Sequence, residues 1–430
     1  RKAASSSLLL AMAGGVAAFA PSGVPRAVSS ISRMRMSMGG ASDASSYSSS
    51  SAPPTTPTPF SRRGALRKLL TATMLVIGMP HPGKASLGAC AEGDDVCLAA
   101  SQSASKMPQV QVGSLSISPI VMGQWQLAGG HGEYDPIDAV DNMVKHFDAG
   151  ITSVDTADIY GPSEEIVGLF LKERPAAVVC TKFCCFRDLR KIDKKMVKDR
   201  ILASCKRLGV KQLDLVAFFW LDFGVKRYVQ VAQWLSELRD EGLIREIGVT
   251  NFDTESLKQV VDAGVPVVSN QIQYSIVDRR AQNGLAEYCD KNKIKLLCYG
   301  AMGGGLFSDG YLGKAKPSSG SLDTSSLRMY SSSIARFGGW DLFQRLLGAM
   351  SEVAKKHDVS VANVAARYVL DQQAVGSIIV GVRNTKHIQD NLRSFTFLLD
   401  EDDRSKIDDV LVQAKGPKGD IYGYERGLVG

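Results

Sequence analysis

From about Gln109 onward, short apolar runs alternate with stretches in which apolar residues recur every three or four positions. The first pattern is that of a buried strand and the second that of a helix with one buried face. Read in order, strands fall at 120–125, Ser153–Asp155, 178–181, Leu213–Trp220, 244–249, 267–271, Lys295–Tyr299 and 377–380. Between and after them, helices are expected at 138–148, from Ser163, and at 195–208, 228–241, 253–262, Leu285–Lys291, 342–356, 361–371 and 386–392. Val110–Val112 and Leu115–Ile117 flank Gly113-Ser114, which reads as a hairpin. Eight strand–helix repeats within residues 108–415 predict an α/β fold of the (β/α)8 barrel type, preceded by that hairpin. A doubly wound open sheet would carry a Gly-x-Gly-x-x-Gly turn after its first strand. Here Gly303-Gly304-Gly305 comes far too late for that role. Residues 306–340, rich in Ser and Gly, are the longest irregular stretch and are expected to form a loop over the barrel mouth. Residues 416–430 read as a C-terminal tail.

Composition sharpens this picture mainly at the N-terminus. The chain has 430 residues, 44% hydrophobic and 22% charged, and a net charge of +7. Ten of its 51 Lys and Arg but only one of its 44 acidic residues fall within residues 1–91, leaving 41 basic and 43 acidic residues beyond them. The barrel is therefore nearly neutral and offers no basic face for nucleic acid. Residues 1–91 read as targeting sequence in layers. An apolar run at 8–20 ends in Ala18-Phe19-Ala20-Pro21, long enough for a signal peptide but short for a membrane span. A Ser/Thr/Pro-rich, acid-poor stretch at 22–59 follows, and the pair resembles the bipartite presequence of algae with secondary plastids. Ser61-Arg62-Arg63, an apolar segment at 69–79 and Ala89-Cys90-Ala91 resemble a twin-arginine signal for the thylakoid lumen, or else the second half of an ordinary transit peptide. Residues 92–107 read as a linker. The expected location is a plastid, either stroma or lumen, with no integral membrane span in the mature protein. None of the eight cysteines forms a Cys-x-x-Cys pair, so no metal site is expected. Cys184-Cys185 reads as an inert buried pair rather than a redox gate.

Chemistry concentrates in Asp155-Thr-Ala-Asp-Ile-Tyr160-Gly161 and in Lys182, which fall where neighbouring strands end. A phenol titrates near pH 10 and donates a proton poorly at neutrality. A nearby lysine cation lowers its pKa, and a carboxylate can hold that lysine in place. Tyr160, Lys182 and Asp155 together therefore read as a general acid for carbonyl reduction.

These residues, with Ile247-Gly-Val-Thr250-Asn251-Phe252, Ser269-Asn270-Gln271, Tyr299-Gly300, Gly381-Val-Arg383, Asn391-Leu392 and Gly419-Asp-Ile-Tyr422, resemble the aldo-keto reductases. The resemblance runs from about Gln109 to the C-terminus, toward the branch holding plastid enzymes and potassium-channel β-subunits. It implies that Tyr160 is the proton donor, tuned by Lys182 and Asp155, toward a small-molecule carbonyl substrate. It implies NADP(H) held by Asn251 and Gln271 at the nicotinamide carboxamide and by Tyr299 stacked on the ring. Gly381, Arg383, His387 and Asn391 would line the adenosine end, and Gly123 and Trp125 would join the cofactor-binding set. Arg383 is the expected grip on a 2′-phosphate, because a guanidinium holds phosphate with two parallel bonds.

One departure stands out. Family members read Phe-His-Trp on the fourth strand, and this chain reads Phe218-Phe219-Trp220. No histidine lies between His146 and His357, so none can be shifted into register. Phenylalanine donates no hydrogen bond. His131 is expected to be an ordinary surface histidine rather than a replacement. Phe219, Trp220 and Trp340 are assigned to the substrate pocket, Trp340 as a mobile contact. Two readings remain: a reductase, or a module that binds NADP, turns over little and reports redox state to a partner.

Overall fold

The computed structural model describes residues 107–428. The presequence and, apart from Met107, the linker lie outside the described residues. The chain enters through β1 (Val110–Val112) and β2 (Leu115–Ile117), an antiparallel hairpin with Val110 opposite Ile117. Gly113 turns between them at φ +59°, and a Cβ there would meet the Glu246 carboxyl at 2.6 Å. Glycine answers both demands. The Ser114 N–H then donates to Glu246 Oε1 at 2.7 Å, tying the turn to the barrel. Alternation sends Val112, Leu115 and Ile117 inward against Val121, Cys180, Leu215 and Leu297, so the hairpin plugs one end of the barrel.

The barrel is closed and wholly parallel. Its strands and helices alternate as the pattern predicts: β3 (Ile120–Gly123), α1 (Pro136–Asp148), β4 (Ser153–Asp155), α2 (Ser163–Glu173), β5 (Val178–Cys185), α3 (Lys194–Leu208), β6 (Leu213–Trp220) and α4 (Tyr228–Asp240). There follow β7 (Ile244–Thr250), α5 (Thr254–Asp262), β8 (Val267–Gln273), α6 (Leu285–Lys291) and β9 (Lys295–Tyr299). Then come α7 (Ser325–Phe337), α8 (Trp340–Lys356), α9 (Val361–Leu370), β10 (Val375–Gly381), α10 (Ile388–Leu392) and α11 (Glu401–Leu411). β10 pairs with both β9 and β3, which closes the ring. Several helix starts carry side-chain caps. Asp135 accepts from Ile137 N–H at 2.7 Å, and Asp253 from Ser256 N–H at 2.7 Å.

Three expectations are corrected. Residues 306–340 are not a loop throughout, because α7 occupies their second half, capped by Thr324. Its Leu327, Tyr330, Ile334 and Phe337 recur at helical spacing, a signal hidden by the surrounding serines. β5 continues to Cys185, so Lys182 lies within a strand rather than at its end. α11 was also unexpected, and it opens with a reciprocal cap between Asp400 and Asp403.

Candidate active site

Strand alternation decides which side chains meet inside the barrel. On β5, Lys182 and Cys184 face the cleft at the strands' C-terminal end, while Phe183 and Cys185 pack outward. Asp155 ends β4 opposite Cys180, two residues before Lys182. Lys182 Nζ donates to Asp155 Oδ1 at 2.7 Å, to Oδ2 at 2.8 Å and to the Thr156 carbonyl at 2.8 Å. Both charged side chains are only 6% exposed. Tyr160 follows in a turn fixed by its N–H to the Ala157 carbonyl at 3.1 Å, and its ring centre lies 4.9 Å from Lys182 Nζ. Gln271 Nε2 on β8 completes the set, donating to Asp155 Oδ1 at 2.6 Å. The three predicted residues thus meet.

Their electrostatics differ from the expectation in sign. Burial pushes the Tyr160 phenol up to about 12, against the pull of the Lys182 ammonium, and Asp155 adds to the rise. Burial weighs against a charged Lys182, but Asp155 and Tyr160 outweigh it and raise its pKa. Tyr160 is therefore a firmly protonated phenol beside a firmly protonated ammonium. Cys184 borders the same cleft, and burial holds its thiol well above the ordinary range; Cys185 is pushed up to about 12 for the same reason. Thiols in that state are poor nucleophiles.

A cleft of about 850 Å³ opens over this triad, within the range of cofactor and ligand sites. Gly123, Trp125, Asn251, Gln271, Tyr299, Gly381, Arg383, His387 and Asn391 all border it, as does Phe219. Tyr299 donates its hydroxyl to Asn251 Oδ1 at 2.9 Å, and Asn251 sits at φ +58°, a conformation asparagine tolerates better than most residues. Asn142 Nδ2 donates to the Arg383 carbonyl at 3.0 Å, and Asn363 Nδ2 to the Asp390 carbonyl at 2.7 Å, fixing the backbone around Arg383 and Asn391.

Other assignments fail on geometry. Trp220 follows Phe219 on β6 and so faces the other way; it is fully buried outside the cleft, its Nε1 donating to Asp222 O at 2.8 Å. Trp340 opens α8 away from the cleft and is pinned, with Nε1 donating to Lys314 O at 2.9 Å. His131 is no surface histidine: it lines the cleft at 7% exposure, 4.8 Å from the Trp125 ring, with Nε2 2.8 Å from Ser326 Oγ. Burial lowers its pKa, so it is neutral at pH 7. Cleft residues not assigned to the site from the sequence include Gly304 and Gly305, both at positive φ, Tyr330 on α7, and Tyr422 in the tail. The glycine run after β9 was legible as a tight turn beside Tyr299.

Among the described residues, no helix is long and apolar enough to cross a membrane, and no group of three or more His, Cys, Asp or Glu could hold a metal ion.

Comparison with known proteins agrees with this architecture. The chain is 27% identical over 329 residues to the chloroplastic pyridoxal reductase of Arabidopsis thaliana, covering 70% of this chain and 85% of that one. It is 27% identical over 311 residues to the aldo-keto reductase YhdN of Bacillus subtilis, covering 69% of this chain and 91% of the relative. Among solved structures, a glycerol dehydrogenase from Gluconobacter oxydans shares the fold with a TM-score of 0.63 at 23% identity, over 73% of this chain and 98% of the other. The family model described as "Aldo/keto reductase family" matches residues 119–412. The chain belongs to the aldo/keto reductase family.

Proposed function

We propose that the protein reduces an aldehyde or ketone with NADPH, and that Tyr160 gives the proton. The observation that carries this reading is the buried Lys182–Asp155 pair, at 2.7 and 2.8 Å, set 4.9 Å from the Tyr160 ring within one cleft. The cleft residues fit a nicotinamide dinucleotide. Asn251 uses its amide oxygen on Tyr299, and Gln271 its amide nitrogen on Asp155. That leaves a donor on Asn251 and an acceptor on Gln271, complementary to a carboxamide. Gly305 is at φ +97° with open space where a Cβ would stand, leaving room for a ligand to approach backbone. When bound, the reduced nicotinamide would supply hydride.

The chain's own part is proton management and orientation. As hydride reaches the carbonyl carbon, the C=O electron pair moves onto oxygen. An alkoxide is far more basic than a phenoxide, so even a phenol pushed up to about 12 gives its proton downhill. Tyr160 then regains a proton from solvent. Lys182 stays charged, and Asp155 and Thr156 fix its ammonium beside the phenol. The Lys182 and Asp155 side chains are only 6% exposed, and that burial strengthens their attraction.

Arg383 is exposed at the cleft edge and is assigned to a 2′-phosphate. Arg383→Ala should weaken NADPH binding by about 1.5–3 kcal/mol, roughly ten- to hundredfold in Kd, with NADH binding unchanged. Tryptophan-fluorescence titration with both cofactors checks this; equal losses for the two would remove the phosphate from Arg383. Purified protein should also oxidise NADPH when given 4-nitrobenzaldehyde.

A second reading rests on Phe219. It faces the cleft where family members present histidine, and its ring stacks 4.8 Å from Phe186. A site short of one carbonyl donor suits a protein that holds NADP and reports its redox state. Binding without turnover across a panel of carbonyls would favour that module. We place the protein in a plastid, stroma or lumen, of an alga with secondary plastids, on the strength of the layered presequence.

A further inference from the structure

Residues 419–428 are not a loose tail. Asn283 Nδ2 donates to the Gly419 carbonyl at 2.8 Å, and Thr254 N–H to Asp420 Oδ2 at 3.2 Å. Arg280, almost wholly buried, bridges Asp278 at 2.8 Å and the tail's Glu425 at 3.1 Å. The Arg426 N–H donates back to the Tyr422 carbonyl at 3.0 Å. Its side chain then reaches the barrel. Nη2 donates to the Trp220 carbonyl at 3.0 Å and the Asn251 carbonyl at 2.9 Å, and Nε to the Leu221 carbonyl at 3.1 Å. One guanidinium thereby ties the end of β6 to the end of β7.

This arrangement is costly for a purely structural contact. The guanidinium lies 4.3 Å from the Phe223 ring centre, burial lowers its pKa, and Nη1 is buried without a hydrogen-bond partner. An orphan donor on a buried cation calls for a reason beyond packing. Asn251 supplies one. It sits at φ +58°, a conformation that side-chain-bearing residues adopt reluctantly, so its neighbours must hold it there. Its N–H donates to the Gln271 carbonyl at 2.8 Å, and its own carbonyl is the one Arg426 takes. Tyr299 fixes its side-chain oxygen at 2.9 Å, which leaves the amide NH2 for the cleft that Asn251 borders.

We propose that Arg426 is a positioning residue for the cofactor: by gripping the Asn251 carbonyl from the tail, it sets the direction in which the Asn251 amide meets the nicotinamide carboxamide. This rests on the reading above that places the carboxamide at Asn251. Arg426 itself stands outside the cleft lining, so it acts through Asn251 alone. The adenosine end is assigned to other elements. Arg383 follows β10, which stands across the ring from β6. The tail therefore governs the nicotinamide half of the site and leaves the adenosine half as it is.

The test is calorimetric titration of the full chain and its variants with NADPH and with 2′,5′-ADP, which keeps the adenosine phosphates but lacks nicotinamide. Arg426→Met retains most of the side chain's length and removes its donors. It should raise the NADPH Kd roughly tenfold, the scale of one hydrogen bond, and change the 2′,5′-ADP Kd by less than about twofold. Arg426→Lys, whose ammonium still donates, should recover part of that loss. Asn251→Gly keeps the positive φ and removes the amide. In that background Arg426→Met should add less than about twofold, because the two residues act as one unit. Three results would overturn the proposal: an unchanged NADPH Kd in Arg426→Met, equal losses for both ligands, or losses that multiply in full in the double variant. Should Arg426→Met not fold, Arg426→Gln carries the same comparison under the same limits. An Asn251→Gly variant that binds NADPH as tightly as the parent would sink the proposal together with the Asn251 assignment. Turnover of 4-nitrobenzaldehyde by the parent protein decides the reductase reading separately.

Discussion

Tyr160→Phe should reduce carbonyl turnover by roughly 100- to 10,000-fold, the usual contribution of a positioned general acid, while NADPH binding is unaltered. The substitution removes one oxygen and leaves the ring against Lys182, so neither the turn after β4 nor the cleft loses its shape. Loss in kcat with unchanged cofactor affinity would mark an interaction made in the transition state. The pH profile supplies a second check. Because burial pushes the Tyr160 phenol up to about 12, the protonated and active form dominates at all lower pH. Reduction should be flat through neutrality and should fall only as pH climbs toward that value. An inflection near pH 7 or 8 assigned to proton donation would point to a different group.

The second large effect concerns the ion pair. Asp155→Leu strands a buried ammonium and should cost about 3–5 kcal/mol of stability, together with activity. Lys182→Met added to Asp155→Leu removes both charges at once, which in buried pairs is commonly neutral or stabilising. We therefore expect the double variant to regain most of the lost denaturation midpoint and none of the turnover. A double variant as unstable as the single one would mean that Asp155 supports the fold through Gln271 instead. The alkaline limit follows from the sign of the Lys182 shift. Its pKa is raised in the folded state, so its stabilisation is complete below the ordinary lysine value of about 10.4 and fades as pH rises through the folded value.

Much of the barrel was legible because punctuation is sharp where it matters. The hairpin is bounded by Gly113-Ser114, and β4, β6 and β9 stop where the apolar runs stop. The convergence of Asp155, Tyr160 and Lys182 followed from placing them on neighbouring strands, since parallel strands bring like ends together. Trp220 was misassigned against a rule already available: consecutive residues on a strand face opposite sides, so Phe219 and Trp220 cannot both line one pocket. Helix α7 was masked by five serines that weaken its propensity while its apolar spacing survives.

What sequence could not carry is depth and return path. The lysine's pull on Tyr160 was readable from residue types, but burial outweighs it, and burial depends on the surrounding fold. Arg426 binds carbonyls on Trp220, Leu221 and Asn251, partners far from it along the chain. Gly419 to Tyr422 contributed to the family resemblance, but nothing in the residue types themselves announces that the run comes back over the site. The tail's part in the cleft therefore emerged only from the folded chain.

The most direct test of the central claim follows the hydride. Purified protein would be given NADPH deuterated at one face of nicotinamide C4, with 4-nitrobenzaldehyde, and the alcohol analysed by mass spectrometry. Deuterium carried to the carbinol carbon from one face and not the other is the predicted result. An alcohol free of label from both faces, or no alcohol at all despite bound NADPH, would contradict it.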